Sequence, residues 1–128
     1  MHRKLAFIYF VVISVVAALN YIPGVKQPDG TIFGVFALDI YDDALHLGSA
    51  LWALAAALIS ARASRIYLLL FGAAYLGDGL LGLATGSGYL DLGILNYGVQ
   101  DLPLAFKIKA NTPHIVLGGL AFLAGLRK

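Results

Sequence analysis

Residues 39–46 read DIYDDALH, and the mostly apolar residues 47–61 follow them directly. This order, an acidic and aromatic loop followed by a long apolar segment, is typical of the point where a loop meets a membrane-spanning helix. A weaker copy returns at residues 107–114, KIKANTPH, which precede the apolar residues 115–126. The two copies predict two related helical hairpins.

The composition of the whole chain favours a membrane protein. Of its 128 residues, 60% are apolar and 12% are charged, whereas about a quarter of the residues in an ordinary soluble domain are charged. A spanning helix needs roughly 20 apolar residues, and four segments approach that length: residues 5–21, 43–61, 66–85 and 112–126. We therefore expect a single domain, residues 1–128, that folds as an all-α integral membrane four-helix bundle.

The placement of charge indicates the orientation of that bundle. If the four segments alternate in direction, six basic residues fall on one side of the membrane: Arg3, Lys4, Arg62, Arg65, Arg127 and Lys128. The loops on the other side carry most of the aspartates. Lys and Arg favour the cytoplasmic side, so we expect both termini to be cytoplasmic in the inner or plasma membrane. The same placement argues against nucleic acid as a partner.

The second segment holds several candidate residues. Asp42 or Asp43 is predicted to cap its helix, because a carboxylate there meets the unpaired amides and the positive end of the dipole. His46 follows one turn later on the same face. Small residues then recur every four positions, a pattern of closely packed membrane helices: Ser49, Ala53, Ala57 and Ala61. A short turn at residues 62–65 predicts that the third helix runs antiparallel to the second.

The third segment contains Asp78, an ionisable residue at predicted membrane depth. Such residues are costly and are functional candidates by default. The alternative is a structural carboxyl group bonded to Tyr75, a serine or a backbone carbonyl of a neighbouring helix. Further along, Gly82 and Gly86 form a GxxxG pair that predicts close helix packing.

The fourth segment begins with a polar cap like that of the second. Asn111 or Thr112 is predicted to be its N-cap, with Pro113 in the first turn, His114 next, and Gly118 as a further packing position. When His46 is aligned with His114, small residues also coincide along the two helices. The alignment implies two parallel hairpins related by a pseudo-two-fold axis along the membrane normal. We then expect both imidazoles at similar depth near the outer surface.

Several short motifs carry a family resemblance. They are residues 33–36 (FGVF) through His46, Gly48, residues 65–68 (RIYL), residues 111–114 and Gly118. This pattern is similar to that of a family of small bacterial four-helix membrane proteins described only as a domain of unknown function. Members place a His after a short polar run at the start of the second and fourth helices. The resemblance implies the same fold and brings no known activity.

Three functions are compatible with these features. The first is a structural or accessory role in a membrane complex or homo-oligomer, with lipid and other subunits or copies of itself as partners. The second is a haem or metal site, in which His46 and His114 are the ligands, joined for a metal by Asp42, Asp43 or Asp78. The third is proton or small-solute transport through titration of Asp78 and the two histidines.

An enzyme is not expected from this sequence. It shows no nucleophile–base pair, no phosphate-binding loop and no metalloprotease spacing. The chain has no cysteine, which excludes disulfides, thiolate catalysis and Cys-ligated metals. The identity of any cofactor does not follow from the residues.

Overall fold

The computed structural model describes residues 1–32, 34, 36 and 40–128. The chain is all-α, and within these residues it forms five helices: α1 (His2–Ala18), α2 (Ile40–Ile59), α3 (Ala61–Thr85), α4 (Gly93–Tyr97) and α5 (Leu104–Leu126). A 3-10 turn, Leu19–Tyr21, extends α1. Residues 33, 35 and 37–39, which include part of the FGVF motif and Asp39, fall outside the described residues.

The four long helices alternate in direction. Near the start of α1, Arg3 donates from Nε to the carbonyl of Ala57 near the end of α2, at 2.8 Å. Near the start of α3, Arg65 donates from Nε to the carbonyl of Gly125 near the end of α5, also at 2.8 Å. These contacts define the basic end of the bundle, where both termini lie. The opposite end is called the loop end. It holds residues 22–32 of the first loop and the second loop, residues 86–103.

The helices pack as two hairpins, because α1 contacts mainly α2 and α3 contacts mainly α5. The α3–α5 crossing is the closest. A Cβ atom on Gly118 would lie 2.9 Å from the carbonyl oxygen of Gly72, so neither helix has room there for a side chain. In the first hairpin, the buried Ala53 and Ala57 serve the same purpose, and Ser49 is buried beside them.

The predicted start of the last helix is wrong. α5 begins at Leu104 after Pro103, so Asn111, Thr112 and Pro113 lie inside it. The Asn111 side chain donates to the carbonyl of Lys107, and the Thr112 hydroxyl donates to the carbonyl of Ile108. These polar groups are therefore satisfied by the preceding turn instead of capping the following one.

The predicted boundary between the second and third helices is also wrong. A single residue, Ser60, connects α2 to α3 and accepts a hydrogen bond at 3.0 Å from the amide of Ala63. Residues 62–65 belong to the first turn of α3, and Ala61 is an exposed residue of that turn rather than a packing position. Because α2 begins at Ile40, its acidic residues lie within the first turn instead of at the N-cap, where the helix dipole still favours them.

The predicted GxxxG pair separates into two roles. Gly82 is buried where any side chain would collide with Asn111 of α5, so it is a packing residue as predicted. Gly86 ends α3 in the left-handed region, with φ 82°, and its amide donates to the carbonyl of Gly82 at 2.8 Å. This is a glycine C-cap and not a helix contact.

Two helices, α2 and α3, are long and apolar enough to cross a membrane, by length and composition, within the part of the chain that the structure describes. In each of these two helices, less than half of the 18-residue apolar stretch is buried within the protein. All four long helices expose large apolar side chains, among them Phe7, Val15, Leu51, Leu58, Leu70, Leu80, Leu120 and Leu123.

Candidate functional site

A cavity of about 750 Å³ lies between the helices at the loop end. Its apolar walls come from α1, α5 and both loops: Ile13, Val16, Leu19, Ile32, Phe36, Leu102, Phe106 and Leu117. Its polar residues are Asp42, His46, Asp78, Ser87, Asp91, Gln100, Lys107, Asn111 and His114. Because residues from both loop segments line the cavity, the loops cover this end of the bundle.

The polar side of the cavity is organised around Asp78 of α3. One carboxylate oxygen, Oδ2, lies 2.5 Å from Nδ1 of His114 on α5. The other, Oδ1, accepts from the backbone amides of Tyr89 and Leu90, each at 2.8 Å. Both oxygens of this buried carboxylate are therefore bonded, one to α5 and the other to two adjacent amides of the second loop. Asp78 joins α3, α5 and the second loop.

The second loop folds back on α3 because of a glycine and a tyrosine. Gly88 passes so close to the Asp78 carboxylate that a Cβ atom would collide with it. The Tyr89 hydroxyl donates to the carbonyl of Ala74 at 2.6 Å. Burial raises the pKa of that hydroxyl, and the nearby Asp78 carboxylate adds to the rise. The loop is thus bonded to α3 at Ala74 as well as at Asp78.

The second imidazole, that of His46, approaches from α2. The His46 and His114 ring centroids are 6.1 Å apart with an angle of 79° between the planes, an edge-to-face contact. The two histidines, which the repeat predicts at similar depth, thus lie close together. Nδ1 of His46 is buried and has no hydrogen-bond partner among the described residues. The two rings therefore differ: one is bonded to a carboxylate and the other is not.

Below the histidines, aromatic rings close the bundle toward the basic end. Tyr75 lies 5.0 Å from the His114 ring, and its hydroxyl is 2.7 Å from the Ser49 hydroxyl. Phe71 stacks on Tyr75 at 4.0 Å, and Tyr67 stacks on Phe71 at 5.1 Å. These side chains are buried. The cavity thus ends at a packed aromatic column.

The remaining predicted ligands do not meet the histidines as a set. Asp42 lines the cavity, but Asp43 accepts a hydrogen bond at 2.8 Å from the Tyr21 hydroxyl and borders a separate depression. No three His, Cys, Asp or Glu side chains among the described residues are grouped to hold a metal ion. The predicted set of His46, His114, Asp42 and Asp43 is not assembled there.

The internal repeat extends to specific contacts. When His46 is aligned with His114, Ala57 aligns with Gly125, and these two residues accept the matching bonds from Arg3 and Arg65. The buried small residues of the two helices also coincide: Ala50, Ala53 and Ala57 on α2 with Gly118, Ala121 and Gly125 on α5. The two hairpins therefore share these hydrogen bonds and these small-residue positions.

Sequence reasoning missed the contribution of the second loop. Ser87 and Gly88 line the cavity, and the amides of residues 89 and 90 hold Asp78. A hydrogen bond from a backbone amide does not depend on the side chain, so the sequence pattern gives no sign of it. The run Gly86-Ser87-Gly88 was the one available signal, since clustered glycines allow close approach of the backbone.

Comparison with known proteins gives a family but no activity. Residues 3–127 match the family described as Domain of unknown function (DUF4383). No curated protein and no solved structure gave a significant match.

Proposed function

The chain belongs to the DUF4383 family, and we propose that it is an integral membrane protein with four spanning helices that binds a small amphipathic molecule in the loop-end cavity. The observation that carries this proposal is the meeting of two imidazoles and a buried carboxylate at one wall of an apolar cavity. Ligand sites commonly combine apolar walls with a few convergent polar groups.

The surface of the bundle supports four spans. α2 and α3 pass the length and composition test, and α1 and α5 present a comparable outward face. On α1, Phe7 and Val15 are 50% and 54% exposed; on α5, Leu120 and Leu123 are 59% and 61% exposed. A soluble monomer rarely exposes so much contiguous apolar surface. The arginines at the basic end favour a cytoplasmic location for both termini, with the cavity at the outer surface.

The packed aromatic column that closes the cavity toward the basic end favours binding over transport. A solute or proton that crossed the bundle would have to pass Tyr75, Phe71 and Tyr67, which are stacked and buried. Protein interiors packed in this way have few voids as large as a water molecule. Because this packed column closes the side toward the basic end, a bound molecule would enter and leave from the loop end.

The dimensions and chemistry of the cavity suit an amphipathic ligand. Its volume, about 750 Å³, lies within the range of about 300–1,000 Å³ for small-molecule sites. The Asp78–His114 pair provides a rigid polar edge, because both oxygens of the carboxylate are held by other groups. The remaining wall, including Phe36 and Phe106, accommodates an apolar body.

Two matched variants test this proposal. Ala110 lines the cavity, whereas Ala55 is exposed on the outer face of α2. We expect protein purified from its native membranes to carry a stoichiometric small molecule, detected by extraction and mass spectrometry. Ala110→Phe should remove that molecule and Ala55→Phe should retain it. Equal occupancy in both variants, or only bulk lipid in all samples, would refute the proposal. An absorption spectrum of the same samples tests the haem alternative.

An accessory role is a second proposal, favoured by open space around two glycines. A Cβ atom on Gly48 or on Gly119 would meet nothing within 4 Å, so both positions leave room for a neighbouring helix to approach. The mass of the native particle in mild detergent, with its chains identified, tests this role. A particle that contains only one copy of this chain would exclude it.

A further inference from the structure

The internal repeat locates a difference between the two hairpins at the cavity. Arg3 and Arg65 make the same bond to equivalent residues, so α1 can be aligned with α3 on these arginines. Buried residues then coincide, since Ile13 aligns with Tyr75. Further along the same alignment, Val16 stands where α3 carries Asp78.

Because Val16 stands in the place of Asp78, His46 lacks the carboxylate partner that His114 has. Nδ1 of His114 is bonded to Asp78. The same atom of His46 is buried without a hydrogen-bond partner among the described residues, and its equivalent of Asp78 is the apolar Val16, which also lines the cavity. A buried polar atom without a partner is costly, and a ligand that supplies a partner recovers that cost.

The chemistry of the missing partner follows from the bond that is present. A carboxylate only accepts hydrogen bonds, so Nδ1 of His114 is the protonated nitrogen that donates to Asp78. By analogy with His114 in the repeat, we assign the ring proton of neutral His46 to Nδ1, which then needs an acceptor oxygen. Three carboxylates already line the cavity, on Asp42, Asp78 and Asp91, against a single lysine side chain among the described lining residues. Another negative charge beside them is disfavoured in a poorly solvated site.

We infer that the cavity selects an uncharged lipophilic molecule with a carbonyl oxygen, of the ketone or quinone class, which accepts a hydrogen bond from His46 in the place that Asp78 occupies beside His114. This inference rests on the proposed binding function and specifies its ligand class. His46 determines specificity in this site, and the Asp78–His114 pair provides a fixed neighbour for the bound carbonyl.

The three histidines of the chain provide a direct assay. His2 lies at the basic end, where its ring bonds the carbonyl of Ala124, and it is an internal control. The protein is labelled with ¹⁵N-histidine, reconstituted in lipid nanodiscs and titrated with 2-tridecanone, dodecanoate, dodecylamine or tridecane. We expect 2-tridecanone to shift the His46 ring signals saturably and to leave the His2 signals unchanged. The other three probes should give no saturable shift.

Two variants test the role of the missing carboxylate. Val16→Asp supplies the partner within the protein, so His46 should acquire ring signals like those of His114 and affinity for the ketone should fall by about tenfold, as expected for one lost hydrogen bond. Ala18→Asp places the same charge on an exposed residue of the same helix and should retain binding. His46→Phe keeps a ring but removes the donor, and it decides the question if Val16→Asp does not fold.

The outcomes separate this inference from the function on which it rests. Saturable binding of dodecanoate or dodecylamine in preference to the ketone would overturn the ligand class while leaving a binding cavity in place. Undiminished ketone binding in His46→Phe would overturn the role of His46. Absence of saturable binding by every probe overturns the inference, and the occupancy of the Ala110→Phe and Ala55→Phe samples then decides separately whether the cavity binds a molecule.

Discussion

Replacement of Asp78 is the most informative perturbation of the fold. Asp78→Leu preserves bulk but removes the acceptor for the ring of His114 and for the amides of Tyr89 and Leu90. Because three donors lose their acceptor and a buried donor without a partner costs about 1–3 kcal/mol, the total cost is about 3 kcal/mol or more. We expect Asp78→Leu to lower the free energy of unfolding by about that amount and to release the second loop from α3.

Asp78→Asn separates hydrogen bonding from charge. The amide oxygen can still accept from both backbone amides, and the amide nitrogen can donate to Nδ1 of His114 in its other tautomer. We therefore expect a loss of only about 1 kcal/mol, the net worth of an ordinary hydrogen bond. The difference between the Leu and Asn variants measures the cost of buried donors without partners.

Reversible unfolding in mixed detergent micelles, followed by circular dichroism, measures these losses. Asp101→Asn, at an exposed aspartate, provides a control that should change stability by less than about 0.5 kcal/mol. Equal losses for the Leu and Asn variants would refute the hydrogen-bond argument. A loss below about 1 kcal/mol for Asp78→Leu would refute the role of Asp78 as the junction of α3, α5 and the second loop.

The remaining predictions concern packing, an unpartnered imidazole and a loop carboxylate. Gly118→Leu should separate α3 from α5 and destabilise the bundle by more than about 2 kcal/mol, whereas Gly119→Leu, with nothing within 4 Å, should unfold like the wild type. His46→Phe should leave the stability of the ligand-free protein unchanged or raise it by up to about 1 kcal/mol, because an unpaired polar atom is removed; a clear loss would contradict this. Hydrogen bonds from the Thr31 hydroxyl and amide lower the pKa of Asp29, so any stability that this pair provides is present at neutral pH and is lost as pH falls through the lowered pKa. Thr31→Val should raise the pKa of Asp29 toward its usual value in an NMR titration, and an unchanged pKa would refute the assignment.

The all-α fold and the location of both histidines at one end of the bundle could be predicted from the sequence. Long helices follow from long apolar runs, and close contacts follow from small residues at a four-residue spacing. The similar order of features around His46 and His114 was sufficient to place both rings at one end of the bundle. Their separation of 6.1 Å agrees with that expectation.

The helix boundaries near polar residues could not be predicted in the same way. Asn111 and Thr112 resemble N-cap residues, but the same side chains can bond carbonyls of the preceding turn, and both do so. Ser60 resembles an interior residue of α2 in an apolar run, yet it caps α3. In each case two local hydrogen-bonding patterns are compatible with one sequence, and tertiary packing selects between them.

The partners of Asp78 also lay beyond sequence reasoning, for a different physical reason. Asp78 was identified as a candidate because of its depth, and the alternatives included a bond to Tyr75. The observed partners are the ring of His114 and two backbone amides. Those amides become available only because Gly88 permits close approach of the loop, which depends on the folded path of the chain.

The two hairpins can make identical contacts at the basic end of the bundle but not at the loop end. At the basic end, Arg3 and Arg65 each bond a helix carbonyl at the protein surface, so the two contacts can be identical without interfering. At the loop end, an exact copy would add a further carboxylate to a cavity already lined by Asp42, Asp78 and Asp91, and like charges in one poorly solvated site disfavour each other. Val16 avoids that conflict and leaves His46 without the acceptor that Asp78 gives to His114. The departure from symmetry therefore leaves in the cavity an imidazole that a ligand can satisfy.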